Sequence, residues 1–264
     1  MNNSTQTGKS ERNTLARRSK ILEILNKENV ISISEITKMF DVSEVSVRND
    51  LSLFEKKGFL IRTRGGAISK QISNFDLNLN QRLEHNYKLK QKVGKRAAEF
   101  IKDGSTVIMD SGSTIIEVAK NLKNKKNLKL ITNSLPIADI VADNDQIEVI
   151  ITGGTLRPEM RSLIGATTEK TILSYSCDIA ILGADGIDAD MGFYTKLESE
   201  ASLVQTMIKA SRKRIVVTDS SKFGKKRFVK IANISDVDVI ITDDAISSSD
   251  VEKIVSQGVQ LIIS

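Results

Sequence analysis

The chain has 264 residues but no tryptophan, only two prolines, one cysteine and one histidine. A single thiol, Cys177, excludes an intrachain disulfide, and His85 alone leaves too few soft ligands for an ordinary zinc site. No run of eighteen apolar residues occurs, and the opening MNNSTQTGKSERNT has no apolar segment of the kind a signal peptide needs. A soluble cytoplasmic protein is expected, with no membrane segment, no metal and no cofactor. The G-x-S-x-G signature of covalent hydrolases is also missing, and His85 lies in a polar stretch where a surface position is expected. A serine nucleophile would have no obvious base.

What is present is an uneven charge. Residues 1–70 hold 13 Lys and Arg against 8 Asp and Glu, a net +5, whereas the rest holds 26 against 25, a net +1. Concentrated basic charge points to the part that meets a polyanion, and nucleic acid is the sharper reading beside a merely solvated basic tail. The predicted organisation is a disordered tail over 1–14, a DNA-binding domain over 15–70, a polar linker over 71–86, and an effector-binding and oligomerisation domain over 87–264.

Within 15–70 the periodicity predicts three helices and a hairpin. Ile21, Leu22, Ile24 and Leu25 mark the first helix. In ISISEITKMF, Ser32 and Glu35 have capping-box spacing, with Ile36, Met39 and Phe40 expected to face inward. A turn at Asp41 and Val42 leads to Ser43, which can cap a third helix whose Val47, Leu51 and Phe54 fall on one face. Gly58 suits the end of that helix, and FLIRTRGGAI reads as a strand, turn and returning strand. Together these make a winged helix-turn-helix, with the helix-turn-helix at about 31–50, whose third helix enters the major groove.

A helical wheel with Val47, Leu51 and Phe54 inside turns Val45, Asn49, Ser52 and Lys56 outward, flanked by Ser46 and Arg48. Asn49 can pair with adenine, Arg48 with guanine or a phosphate, Ser46 with either, and Val45 can touch a thymine methyl. Lys56, Lys57, Arg62 and Arg64 suit phosphate or minor-groove contacts. An ordinary solvated helix face is the alternative.

From Asp103 onward, TVIMD, LKLIT, IEVIIT, CDIAIL, RIVVTD, VDVIIT and VQLIIS are near-continuous apolar strands separated by helical stretches. Strands of this kind are buried on both faces of a mainly parallel sheet, so an α/β domain is predicted. YKLKQKVGKRAAEFI, before them, reads as a connecting or dimer-facing helix. Ligands collect beyond the carboxyl ends of such strands. Asp110, Ser111, Gly112, Ser113 and Thr114 lead there into a helix, where unpaired amides and small hydroxyls suit a phosphate, although a capped turn without ligand has the same spacing. Thr132, Asn133, Gly153, Gly154, Asp185 and Lys222 end other strands and could converge on the same crevice. Gly153-Gly154 reads as a turn rather than a catalytic nest.

The run VISISEITKMFDVSEVSVRNDLSLFEKKGFLIRTRGGAI resembles the N-terminal domain of the DeoR family of bacterial transcriptional regulators. The resemblance continues through VIMDSGST, ITNSLPIA, ITGGTLR, LGADGID and VVTDSSKFG, and so covers the chain from about residue 15. Family members commonly carry two consecutive arginines where this chain has Arg48 and Asn49. That departure implies altered base preference, and the VRND variant is similar to regulators of N-acetylgalactosamine and related amino-sugar operons.

The resemblance further implies a C-terminal sugar-phosphate sensor domain that looks like ribose-5-phosphate isomerase. That enzyme's lysine, glycine run and catalytic glutamate would fall on Thr195, then Lys196, Leu197 and Glu198, then Val204, so its base and charge-stabilising partner are both replaced. Lys196 and Glu200 are near enough that a shifted alignment leaves a sugar-phosphate isomerase with an attached DNA-binding domain as the alternative. The expected protein is a repressor of a carbohydrate-use operon, not an enzyme. Its expected partners are double-stranded operator DNA, a phosphorylated sugar and further copies of itself, as a homodimer or homotetramer.

Overall fold

A computed structural model describes residues 14–25, 30–57, 59–63, 65–69 and 78–264. The chain divides into two compact units, Met1–Leu77 and Asn78–Ser264. The expected disordered tail falls almost wholly outside the described residues, as do Gly58 and Arg64.

In the first unit, residues 14–25 are helical (α1). Strand β1 (Val30–Ser32), helices α2 (Ile33–Phe40) and α3 (Glu44–Lys56), and strands β2 (Leu60–Arg62) and β3 (Gly66–Ser69) follow. The wing is a three-stranded antiparallel sheet in the order β1-β3-β2 rather than a two-stranded hairpin, because Val30 and Ile31 pair with Ile68 and Ala67. Gly66 is fitted to that pairing: a Cβ there would lie 1.8 Å from the Ile31 carbonyl oxygen. Ile21, Leu25, Ile31, Ile36, Val47, Leu51, Phe54 and Leu60 fill one apolar core.

Two local expectations fail. Ser32 occupies the N-cap of α2 without a side-chain cap bond, because its hydroxyl meets that of Ser34 at 2.8 Å. Met39, expected inward, is exposed. Asp41 makes the tight turn in the left-handed region at φ 47°.

The second unit opens with two helices, α4 (Leu79–Glu84) and α5 (Tyr87–Ala98). Its main sheet contains the seven anticipated strands, all parallel: β4 (Thr106–Met109), β5 (Leu128–Thr132), β6 (Ile147–Ile151), β9 (Cys177–Leu182), β12 (Ser211–Val217), β14 (Val239–Thr242) and β15 (Gln260–Ile263). Their order is β15-β14-β12-β9-β4-β5-β6. Connections run outward in both directions from the β4/β9 boundary, which is the switch point where α/β sheets open a crevice.

Alternate residues of each strand feed two cores, as the period of a strand requires. Val107, Met109, Leu130, Ile181 and Val217 pack with residues of α5, α6 (Ser113–Lys120) and α7 (Leu135–Val141). Ile108, Ile131, Ala180, Leu182, Val216 and Ile240 pack on the other face with α8 (Ala166–Leu173), α9 (Glu198–Lys209) and α10 (Ser248–Ser256). The helix read as connecting or dimer-facing, α5, packs its Val93, Ala97 and Ala98 into the first of these cores. Its Gly94 lets α6 approach so closely that a Cβ would meet the Glu117 backbone at 2.6 Å.

Two small antiparallel sheets stand beside the main one: β7 (Thr155–Arg157) with β8 (Ser162–Ile164), and β10 (Gly186–Asp188), β11 (Gly192–Thr195) and β13 (Val229–Ala232). Residues 78–86, expected as the end of a linker, belong to this unit. Asn78 makes a reciprocal capping box with Gln81, Leu79 is buried, and the Leu79 amide donates to the Glu159 carbonyl at 2.9 Å.

Candidate functional site

On α3 the apolar face is spent on the core, and the remaining residues are left for solvent or a partner. Ser43 caps the helix, accepting from the Ser46 amide at 3.4 Å. Val45, Arg48, Asn49, Lys56 and Lys57 are exposed, with Val45 at 66%, a value that makes no sense for packing but suits a thymine methyl. Ser46 is half-buried. Arg48 reaches back to Glu44 at 2.9 Å, an exposed i,i+4 pair that costs little to exchange for a base or phosphate. The Arg62 guanidinium donates to Ser52 at 2.7 Å, so the wing and the recognition helix present one cationic edge.

Asp50, next to Asn49, was not anticipated as a structural residue. It is 1% exposed and accepts from Arg17 at 2.6 Å and Arg18 at 2.7 Å. The two arginines thereby tie α1 to α3 beside Asn49.

In the second unit, the loops after β4 and β9 meet at the switch point. Asp110 is buried, and its amide donates to the Ile181 carbonyl at 3.0 Å. Burial pushes its carboxyl up to about 7, against hydrogen bonds from the Ser111 and Gly183 amides. Gly112, at φ 150°, precedes α6 and offers no side-chain cap, so the amides of the first turn, from Ser113 onward, have no partner within the helix. Ser113 is buried, while Ser111 and Thr114 are half-buried at the same mouth.

Asp185, after β9, is the hub. The Arg82 guanidinium of α4 donates to its Oδ1 at 2.9 Å, and the Thr195 hydroxyl lies 3.4 Å from its Oδ2. Burial alone would raise the Asp185 carboxyl, but the charges of Arg82, Lys222 and Arg227 hold it below the usual carboxylate range. Thr195 also donates to Glu200, and Glu200 pairs with Arg157. Arg157 lies close enough to feel Arg82, Asp185 and Asp110; burial and then the Arg82 charge depress its ionisation.

A lysine pair adjoins this group. Burial brings both Lys90 and Lys222 down to about 8, with Asp219 and, for Lys222, Asp185 opposing the shift. Asp219 is buried and accepts from Asn86 at 3.0 Å and from Ser221. His85, expected at the surface, is half-buried here, and burial and the Lys90 charge lower its basicity. Such a cluster of ionised groups in one crevice, with cations beside unpaired amides, can hold an anionic, hydroxyl-rich ligand.

The structure thus gathers Asp110, Ser111, Gly112, Ser113, Thr114, Asp185 and Lys222. It treats the others differently. The Thr132 hydroxyl donates to the Met109 carbonyl and accepts from the Ser134 amide, and the Asn133 amide donates to Leu163. Gly153 and Gly154 shape a turn, at φ 68° and 116°, in which a Cβ on Gly154 would lie 2.2 Å from the Thr168 hydroxyl. These four lie at the carboxyl ends of β5 and β6. Arg82, Arg157 and Lys90 went unread because each is an ordinary residue in its local stretch. Thr195 and Glu200 carried a signal only through the isomerase comparison, and Asp219 only as the start of a loop at a strand end.

Comparison with known proteins follows the same division. Residues 17–73 match the DeoR-like helix-turn-helix domain and residues 85–244 the DeoR C terminal sensor domain. A protein of Escherichia coli O157:H7 named "Putative aga operon transcriptional repressor" is 32% identical over 100% of this chain and 99% of its own length. The HTH-type transcriptional repressor GlcR of Bacillus subtilis is 32% identical over 92% of this chain and 94% of its own, and the transcriptional repressor AccR of Agrobacterium fabrum 36% over 87% and 90%. Among solved structures, ribose 5 phosphate isomerase A from Neisseria gonorrhoeae aligns with 53% of this chain and 55% of its own at 19% identity and a TM-score of 0.39, too low to bear on ligand or activity. The chain belongs to the DeoR family of DNA-binding transcriptional regulators.

Proposed function

We propose that the protein represses a carbohydrate-use operon and leaves its operator when a phosphorylated sugar occupies the crevice between the β4 and β9 loops. It is a regulator and not an enzyme, like the repressors to which it is similar over nearly its full length. The observation that carries the effector reading is the meeting of the uncapped α6 amides with the Arg82–Asp185 and Arg157–Glu200 pairs at one switch point. The amides suit the phosphate. The ionised side chains suit the hydroxyls.

On the DNA side, Val45, Ser46, Arg48 and Asn49 read bases, while Lys56, Lys57, Arg62 and Arg64 hold the backbone. An amino-sugar operon is the favoured target, on the VRND variant and the similarity to the aga operon protein. Single winged modules bind weakly, so a cytoplasmic homodimer or homotetramer on repeated half-sites completes the reading. Release is linkage: the effector binds the DNA-free arrangement more tightly, and its differential affinity sets how far the population shifts. A thermal-shift screen of sugar phosphates tests the effector, since a ligand of the folded sensor raises its melting temperature. A screen in which no sugar phosphate moves that temperature sinks the proposal.

A further inference from the structure

Helix α4 is the first element of the sensor unit after the DNA-binding unit ends at Leu77, and it is six residues long. A helix that short cannot hold itself, so its order depends on tertiary contacts. Leu83 packs against the main core, and further contacts hold its start, last turn and end. At its start Leu79 is buried and its amide donates to Glu159. In its last turn, Arg82 makes the ion pair with Asp185, both side chains nearly buried at 13% and 11% exposure. At its end, the Lys90 ammonium donates to the carbonyls of Arg82 and His85, the latter at 2.6 Å, where a cation favours the helix terminus.

The middle contact lies in the effector crevice and the Lys90 contact adjoins it, but only the middle one joins α4 to a residue at the end of a sheet strand. A ligand hydroxyl that bonds Asp185 competes with Arg82 for the carboxylate, and a ligand anion that pairs with Arg82 competes with Asp185 for the guanidinium. Either competition loosens one attachment of α4. We infer that the Arg82–Asp185 pair is an effector-displaced latch: closed, it orders α4, and opened by a sugar phosphate it frees α4 and weakens operator binding. This rests on the effector reading above, yet its central step can be tested without any ligand.

The experiment compares full-length wild type with Arg82→Gln, Asp185→Asn and the double variant, by amide hydrogen exchange over residues 78–90 and by affinity for a duplex of the chain's own upstream region. Each single variant is expected to speed α4 exchange by about tenfold or more. Each should also weaken DNA binding by roughly 5- to 150-fold, the usual range for coupled sites. The double variant should be no worse than the worse single, since one interaction is lost once. Arg82→Lys, which keeps the charge and loses the guanidinium fork, guards against a variant that fails to fold and should fall between. Unchanged α4 exchange in Arg82→Gln and Arg82→Lys, or faster exchange with unaltered DNA affinity, overturns the latch. Ribose 5-phosphate, glucose 6-phosphate and N-acetylgalactosamine 6-phosphate added to wild type form the second arm. Faster α4 exchange together with release from DNA supports the latch, and release with slower α4 exchange overturns it. Failure of the effector reading shows separately, as sugar phosphates that leave wild-type stability and DNA affinity unmoved.

Discussion

The two units of this chain handle charge in opposite ways. Among the described residues of the DNA-binding unit, Arg48, Lys56, Lys57 and Arg62 stand in solvent, and one acid, Asp50, is buried and paired with Arg17 and Arg18. In the sensor unit the charges are drawn inward at the ends of the strands, so that Arg82, Arg157, Asp185, Glu200, Lys90 and Asp219 neutralise one another inside a crevice. Exposed cations give long-range attraction to a polyanion that salt can screen. Gathered ion pairs give a site that a small ligand enters only by replacing partners, which is what a selective switch requires.

The sharpest break of this contrast is Asp50→Ala. It strips both arginines of their acceptor and leaves Arg17 buried, which should cost the first unit about 3–5 kcal/mol. Urea unfolding followed by a probe in residues 14–69 checks this, and the exposed Arg48→Ala should leave the same midpoint nearly unmoved. Next in size is Gly154→Ala in the turn after β6, where both the φ of 116° and the contact with Thr168 oppose a side chain. A loss of about 1–3 kcal/mol is expected, read in the sensor unit's unfolding and not in the other's. On the DNA face, Asn49→Ala should remove about 1–3 kcal/mol of discrimination at one or two base pairs. Lys56→Ala should instead weaken all sequences alike and reduce the salt slope by about 1. Competition binding against base-substituted duplexes at several salt concentrations separates the two, and an Asn49→Ala protein with unaltered preference means the outward face of α3 is misassigned.

A further effect is a pH dependence. The folded Asp110 carboxyl titrates near 7, above its unfolded value, because burial disfavours the charge. The folded state therefore holds more protons between those two values, and the group's contribution to stability falls as pH rises through that window and is level above it. Asp110→Asn should remove this trend, so the difference in melting temperature between variant and wild type should grow from pH 5 to pH 7.5. A constant difference contradicts it.

Much of this was legible in the sequence, for physical reasons. The seven parallel strands stand out because burial on both faces demands unbroken apolar runs, and Val47, Leu51 and Phe54 stand out because helical period and burial coincide. Strand β1 was missed because three residues are too few to show a period. Helix α4 was missed because LNQRLE has one buried apolar residue, and what orders it is contact with Glu159, Asp185 and Lys90. Arg82 and Asp185 lie 103 positions apart, and no local pattern announces a pair that only the fold assembles. Ser32 and Glu35 show the reverse case, a spacing with local meaning that a neighbouring serine overrides.

The most direct test of the link between the two units is fluorescence anisotropy with full-length protein, its own upstream duplex and a random duplex at matched salt, repeated with each sugar phosphate that raises the melting temperature. The upstream duplex should be preferred, and at least one stabilising sugar phosphate should abolish that preference. Equal affinity for both duplexes, or a sugar phosphate that stabilises the sensor and leaves operator binding intact, would contradict it.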